Sequence, residues 1–73
     1  MDSQITIVMF NITRTEKNGV VVDISIGNFD NALDHYNKSI ASSNYTHVSF
    51  YINIYNKKTL TLQSKVIVSE WTA

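Results

Sequence analysis

Apolar and polar residues alternate along most of this 73-residue chain, and a single helical pattern interrupts the alternation. Strand character, by clean alternation or by a β-branched composition, marks four stretches: residues 4–15, 20–26, 45–55 and 59–71. In residues 29–40 the apolar side chains recur every three or four positions, as in a helix with one buried face. The sequence therefore predicts one two-layer α+β domain over residues 1–73, with one helix on a four-stranded sheet in the order β-β-α-β-β.

The first turn can be assigned from the phase of the strands on either side of it. A two-residue loop of Asn18 and Gly19 would place polar residues beside the apolar face of the second strand. A three-residue loop that also includes Lys17 sets Ile12 opposite Ile24, so that apolar faces coincide. It also requires a left-handed residue at its third position, where Gly19 stands. We therefore predict the three-residue loop.

The second hairpin is predicted to turn at residues 56–58 by the same reasoning. Its register then sets Ile54 opposite Leu60 and Ile52 opposite Leu62, on the face that contacts the helix.

The helix is predicted to begin after Asn28, a residue whose side chain can cap the first turn. Asp30 in that turn carries the negative charge that a helix start favours. Asn44 can adopt the left-handed conformation that ends a helix. The apolar stripe that faces the sheet consists of Phe29, Ala32, Leu33, Tyr36 and Ile40.

The strand order is predicted from which strands carry apolar residues on both faces. The first and fourth strands do so, whereas Asp23 and Ser25 of the second are typical of an edge. The favoured order is 2-1-4-3, with strands one and four adjacent and parallel. This layout resembles the small immunoglobulin-binding β-grasp domains. A ferredoxin-like half or another two-layer α+β order stays open.

Composition excludes several classes of function. Six basic residues balance six acidic ones, which argues against binding nucleic acid or a membrane surface through bulk charge. The absence of cysteine rules out disulfides and cysteine-based metal sites. His35 and His47 are predicted to lie apart, and with Gly19 and Gly27 as the only glycines no glycine-rich phosphate loop is possible. We expect no catalytic residues, no metal, no cofactor and no enzymatic activity.

The sheet face that points away from the helix, called the far face here, is the predicted partner-binding surface. Such a face is normally polar where it meets water, and exposed Tyr, Trp and Ile are typical of interaction sites. The candidate residues are Ile7, Met9, Tyr45, His47, Tyr51, Tyr55, Ile67 and Trp71, with Ile5 beside them. Two alternatives stay open: tyrosine and isoleucine are common on sheet surfaces in general, or the N- or C-terminal residues fold over this face.

Element lengths predict that the second hairpin extends past the helix. Strands of eleven residues span roughly 36 Å, whereas a thirteen-residue helix spans roughly 20 Å. The uncovered residues are then either Ile54, Leu60 and Leu62, or Val48, Val66 and Val68. A second copy of the chain would bury them, so we expect a homodimer.

A nucleic-acid interface is the alternative prediction. Tyr45, Tyr51 and Tyr55 would share a sheet surface with lysines, as in single-strand binders. The basic residues of this alternative site are Lys57, Lys58 and Lys65.

The composition, rich in Asn, Ile, Ser, Thr, Tyr and Lys and without Pro or Cys, resembles the short AT-rich reading frames of phages and mobile elements. Proteins of this size in that class include inhibitors of host enzymes and defence complexes, anti-CRISPR proteins among them. The resemblance implies a non-enzymatic inhibitor that occludes a host protein. Because no signal peptide or membrane span is apparent, we expect it in the cytoplasm, that of the host if a phage encodes it.

Overall fold

The computed structural model describes residues 6–73 and contains one helix and four strands. The elements in chain order are β1 (Thr6–Glu16), β2 (Val21–Ile26), α1 (Phe29–Ala41), β3 (Tyr45–Asn56) and β4 (Leu62–Thr72). The predicted α+β class and the β-β-α-β-β order are confirmed. Gln4 and Ile5, which the sequence assigns to the first strand, lie outside the described residues.

The strands form one antiparallel sheet in the order β2-β1-β3-β4. The predicted order 2-1-4-3 is therefore wrong, and so are its parallel central pair and the β-grasp layout. Polar residues on the far face mark the edge at β2, as predicted, but not at β3. On β3 those residues, Ser49 and Tyr51 among them, are buried by their neighbours, and β3 is central. The other edge is β4, which is exposed throughout Leu62 to Val68.

The three-residue loop of the first hairpin is confirmed. The Glu16 backbone N–H donates to the Val20 carbonyl oxygen at 2.8 Å, and Ile12 stands opposite Ile24. Gly19 has a φ of 91°, in the left-handed region that side chains other than glycine rarely adopt. The phase of the apolar residues was enough to predict the loop length, because the pairing of β1 with β2 is regular up to the turn.

The predicted register of the second hairpin is wrong. Ile54 pairs with Ser64 and Ile52 with Val66, rather than with the two leucines. The loop is longer than predicted because the Asn56 side-chain oxygen accepts hydrogen bonds from two backbone N–H groups of the loop, at 2.8 and 3.0 Å. The Asn56 N–H then donates to the Thr61 carbonyl oxygen at 2.9 Å and closes a loop over residues 57–60.

Bulges turn two predicted far-face aromatics toward the helix. An unpaired Val68 shifts the β3–β4 register, so that Trp71 stands opposite Val48. A shift in the β1–β3 pairing does the same for Tyr45, which pairs with Glu16. Tyr45 and Trp71 both pack against the core, and their predicted place on the far face is wrong.

The helix packs on β1 and β3, its first turn is capped, and a side chain at its middle contacts β4. The Asn28 side chain accepts from the Asn31 backbone N–H at 3.1 Å, which confirms the predicted cap. The left-handed residue after the helix is Ser43, with φ of 63°, and not Asn44 as predicted. The hydroxyls of Tyr36 and Ser69 are 2.8 Å apart and tie the helix to β4. The buried core consists of Ile12, Ala32, Tyr36, Val48 and Phe50.

The helix covers one end of the sheet and leaves the other bare. On the helix side, Ile12 and Phe50 are fully buried, whereas Val8, two rows further along β1, is 42% exposed. The molecule measures 49 × 23 × 14 Å, and its radius of gyration is 13.9 Å, against about 11 Å for a compact chain of this length. The bare end, next to the β3–β4 loop, is called the distal end below.

Candidate binding surface

The far face of the sheet has two chemically different zones. The first, called the polar network, consists of Asn11, Thr13, Asp23, Ser25, Ser49 and Tyr51. The second, called the distal patch, consists of Ile7, Met9, Tyr55 and Leu62 at the bare end of the sheet, and of Ile67, which stands opposite Tyr51 on β4. The pair Asn53 and Lys65 lies between Ile67 and Leu62. The predicted apolar face is therefore apolar over only part of its length.

Tyr51 is the centre of the polar network. Its hydroxyl donates to the Asp23 carboxylate, with both oxygens 3.1 Å away, and accepts from the Thr13 hydroxyl at 3.2 Å. Burial raises the pKa of Tyr51, and the hydrogen bond to Asp23 and the charge of that carboxylate raise it further, while the bond from Thr13 lowers it. Tyr51 is thus a protonated hydrogen-bond donor at neutral pH, and its polar group is satisfied inside the fold.

The ring of Tyr51 is also occupied. The Lys65 ammonium lies over it, 4.3 Å from the ring centroid, and only 7% of the residue is exposed. Sequence reasoning placed Tyr51 and Lys65 together on the far face, and the structure does bring them together. The Tyr51 ring is therefore covered by this contact, whereas Lys65 itself is exposed to solvent.

His47 lies at the helix-covered end of the far face, away from the distal patch. Its Nε2 is 3.0 Å from the Ser49 hydroxyl and 3.6 Å from a Glu70 carboxylate oxygen. His35 is on the helix, exposed to solvent. Within residues 6–73, no three histidine, aspartate or glutamate side chains come close enough together to hold a metal ion.

The distal patch gathers the remaining predicted residues. Ile7 stands opposite Tyr55, and Tyr55 stands opposite Leu62. Leu62 and Ile67 are each about half-exposed. Sequence reasoning assigned Leu62 to the helix side, because it did not anticipate the bulge at Gln63 that separates Leu62 from the rest of β4.

The lysines of the alternative nucleic-acid site are divided between two places. Lys57 and Lys58 are exposed on the β3–β4 loop, whereas Lys65 lies on Tyr51. Of the three predicted stacking tyrosines, Tyr45 is on the helix side, with the Arg14 guanidinium 4.8 Å from its ring centroid. Only Tyr55 retains a place beside the exposed lysines.

The helix side of the distal end is bare as well. Val8, Ile54 and Ser64 form one row across the strands, and Ile52 and Val66 lie in the next row toward the helix. These five residues are called the shelf below. The distal end is therefore a sheet with apolar side chains on both faces and with no second layer among the described residues.

In comparisons with known proteins, no family, no curated protein and no solved structure matches the chain. Among residues 6–73, the one helix is too short to cross a membrane.

Proposed function

We propose that the chain is a non-enzymatic protein-binding module and that the distal patch contacts its partner. The observation that supports this is the half-exposed state of two aliphatic side chains, Leu62 and Ile67, on a sheet face that no second layer covers among residues 6–73. Exposed aliphatic surface beside an aromatic residue such as Tyr55 is typical of interaction sites. In the polar network the Tyr51 hydroxyl and the Asn11 amide N–H are hydrogen-bonded within the fold, while the buried Asn11 Oδ1 has no partner. The distal patch is the exposed apolar part of the far face.

The mode of action that fits this surface is stoichiometric occlusion. The distal end extends beyond the helix as a single layer of sheet, which is thin enough to enter a cleft or cover a site on a larger protein. The compositional resemblance to small phage and mobile-element proteins makes a host enzyme or an anti-phage defence complex the expected class of partner, as for anti-CRISPR proteins. The partner would be met in the host cytoplasm.

The test is a comparison of two lysine substitutions on the far face, with capture of proteins from lysate of the source cell as the measurement. Ile67→Lys places a charge in the distal patch, whereas the matched control Val21→Lys changes an exposed far-face residue on β2. We expect Ile67→Lys to lose a protein that both the wild type and Val21→Lys retain, with unchanged circular dichroism in all three. Equal retention by the two variants would show that the distal patch is not the contact.

The nucleic-acid alternative predicts a different result. A single-stranded oligonucleotide would bind with an affinity that falls steeply with salt and with replacement of Lys57 and Lys58 by alanine. The coverage of Tyr51 by Lys65 argues against it, because the ring is not available for stacking on a base. Salt-sensitive binding of this kind, unaffected by Ile67→Lys, would favour the alternative.

A further inference from the structure

The shelf is an apolar surface that the helix is too short to reach. The helix has 13 residues and a length of about 20 Å, whereas β3 has 12 residues and a length of about 40 Å. The uncovered length is therefore about 20 Å. Val66 is 48% exposed, although it lies on the same side of the sheet as the fully buried Phe50.

The two borders of the shelf carry further exposed apolar side chains. At the distal border, Leu60 lies in the β3–β4 loop with a φ of 58° and 69% of its surface exposed. A left-handed leucine is strained, and such outliers concentrate where function constrains the chain. At the other border, the half-exposed Phe29 begins the helix, with its ring 5.9 Å from that of Phe10 and 5.5 Å from that of Phe50.

The charges at the same two borders are opposite in sign. Lys57 and Lys58 are exposed in the loop that carries Leu60, and Asp30 is in the first turn of the helix, next to Phe29. The full charge of Asp30 exceeds the partial positive charge of about half a unit at a helix start. The shelf between the two borders carries no charged side chain, so stacking it on itself meets no repulsion.

We propose that a second copy of this chain covers the shelf. A twofold axis running across the strands, between two stacked shelves, brings the loop of each copy to the helix start of the other. Leu60 then contacts Phe29, and the loop lysines approach Asp30. Stacked sheets are about 10 Å apart and a helix is about 10 Å wide, so the partner shelf continues the layer that the helix begins. The arrangement is symmetric and closed.

The area limits the strength of this dimer. Three strands over the uncovered length present roughly 300 Å² of flat surface. Adding the two loop contacts brings the interface into the range of weak specific complexes, below about 1,200 Å² in total. We therefore infer a dimer that dissociates at micromolar concentrations. Pairing through the outer edge of β4 is disfavoured, because the bulges at Gln63 and Val68 interrupt that edge.

A matched pair of adjacent residues tests the proposal without depending on the partner proposed above. Val66 is 48% and Ile67 49% exposed, and they point to opposite faces of β4. In sedimentation equilibrium from about 5 to 500 μM, the wild type should approach twice its mass of 8.3 kDa. Val66→Lys should weaken dimerisation at least tenfold, and Ile67→Lys should not, with circular dichroism confirming that both are folded.

Charge reversal provides a second measurement on the same interface. Replacing Lys57 and Lys58 by glutamate should weaken the dimer at low salt, and adding Asp30→Lys should restore it. A chain that stays monomeric up to the highest concentration would overturn the proposal. So would loss of the dimer in Ile67→Lys alone, because association would then use the far face. Failure of Asp30→Lys to restore the dimer would contradict the placement of the loop on the helix start.

Discussion

The two ends of this sheet contain similar apolar residues on the helix side but differ in how deeply those residues are buried. At the helix-covered end, Ile12 and Phe50 are fully buried beneath Ala32 and Tyr36 of the helix. At the distal end, residues of the same type and phase, such as Val8 and Val66, are about half-exposed. The alternation of apolar and polar residues along a strand therefore predicts which side chains share a face of the sheet. It does not say whether anything covers that face.

The difference between the ends also separates stability from binding. A small domain has only a few kcal/mol of stability, and here most of it must come from the helix-covered end. The distal end contributes little core, and its strands are held mainly by backbone pairing and by the loop around Asn56. Side chains on the distal end can therefore be replaced, to suit a binding partner, with little loss of folding stability.

The largest expected effect compares isoleucines from the two ends. Ile12→Ala should lower the free energy of unfolding by about 2–5 kcal/mol, because it leaves a cavity in the closed core. Ile54→Ala on the shelf should cost less than half as much, since its surroundings are open. Urea denaturation at dilute concentration, where the chain is monomeric, measures both. Equal losses would show that the distal end is as well packed as the rest.

The second effect concerns the polar network. Tyr51→Phe removes the hydroxyl that donates to Asp23 and accepts from Thr13, and should cost about 1–2 kcal/mol. Because the pKa of Tyr51 is raised in the folded state, its contribution is present below the unfolded pKa of about 10 and is lost as the pH rises through the folded value. The wild type should therefore lose more stability than Tyr51→Phe in denaturation above pH 10. Parallel losses would exclude this linkage.

The smallest expected effect is that of Leu60→Gly, which should stabilise the folded monomer and weaken the dimer. Leu60→Gly relieves a left-handed leucine but adds freedom to the unfolded chain, so the monomer should gain only about 0.5–1 kcal/mol. The same change removes the side chain that we place against Phe29 of a second copy, and it should weaken the dimer. Thermal unfolding at low concentration and sedimentation at high concentration separate the two. A less stable monomer would indicate that Leu60 packs within its own chain.

Local features of the fold were predictable because their causes are local. The cap by Asn28 and the loop closed at Gly19 each depend on a few neighbouring residues. The second loop was not predictable from phase, because Asn56 organises it through side-chain hydrogen bonds that alternation does not reveal.

The sites were predictable only as far as the strands are regular. Six of the eight proposed partner-binding residues do lie on the far face, whereas Tyr45 and Trp71 do not. A register shift separates each of the two from the regular part of its strand, and one extra residue in a strand reverses the face of the side chains beyond it. Whether a bulge forms depends on the neighbouring strand, which the sequence of one strand does not show.

The sequence by itself determined the α+β class, the element order, the first hairpin and the helix, because each follows from periodicity or from contacts between near neighbours. Tertiary structure alone decided that β3 is central and β4 an edge, since strand order depends on pairings between distant segments. It also decided that the far face is a hydrogen-bonded network around Tyr51 in one zone and an open apolar patch in the other. A polar side chain can be buried at low cost when neighbouring groups form hydrogen bonds with it, and only the folded arrangement brings those groups together.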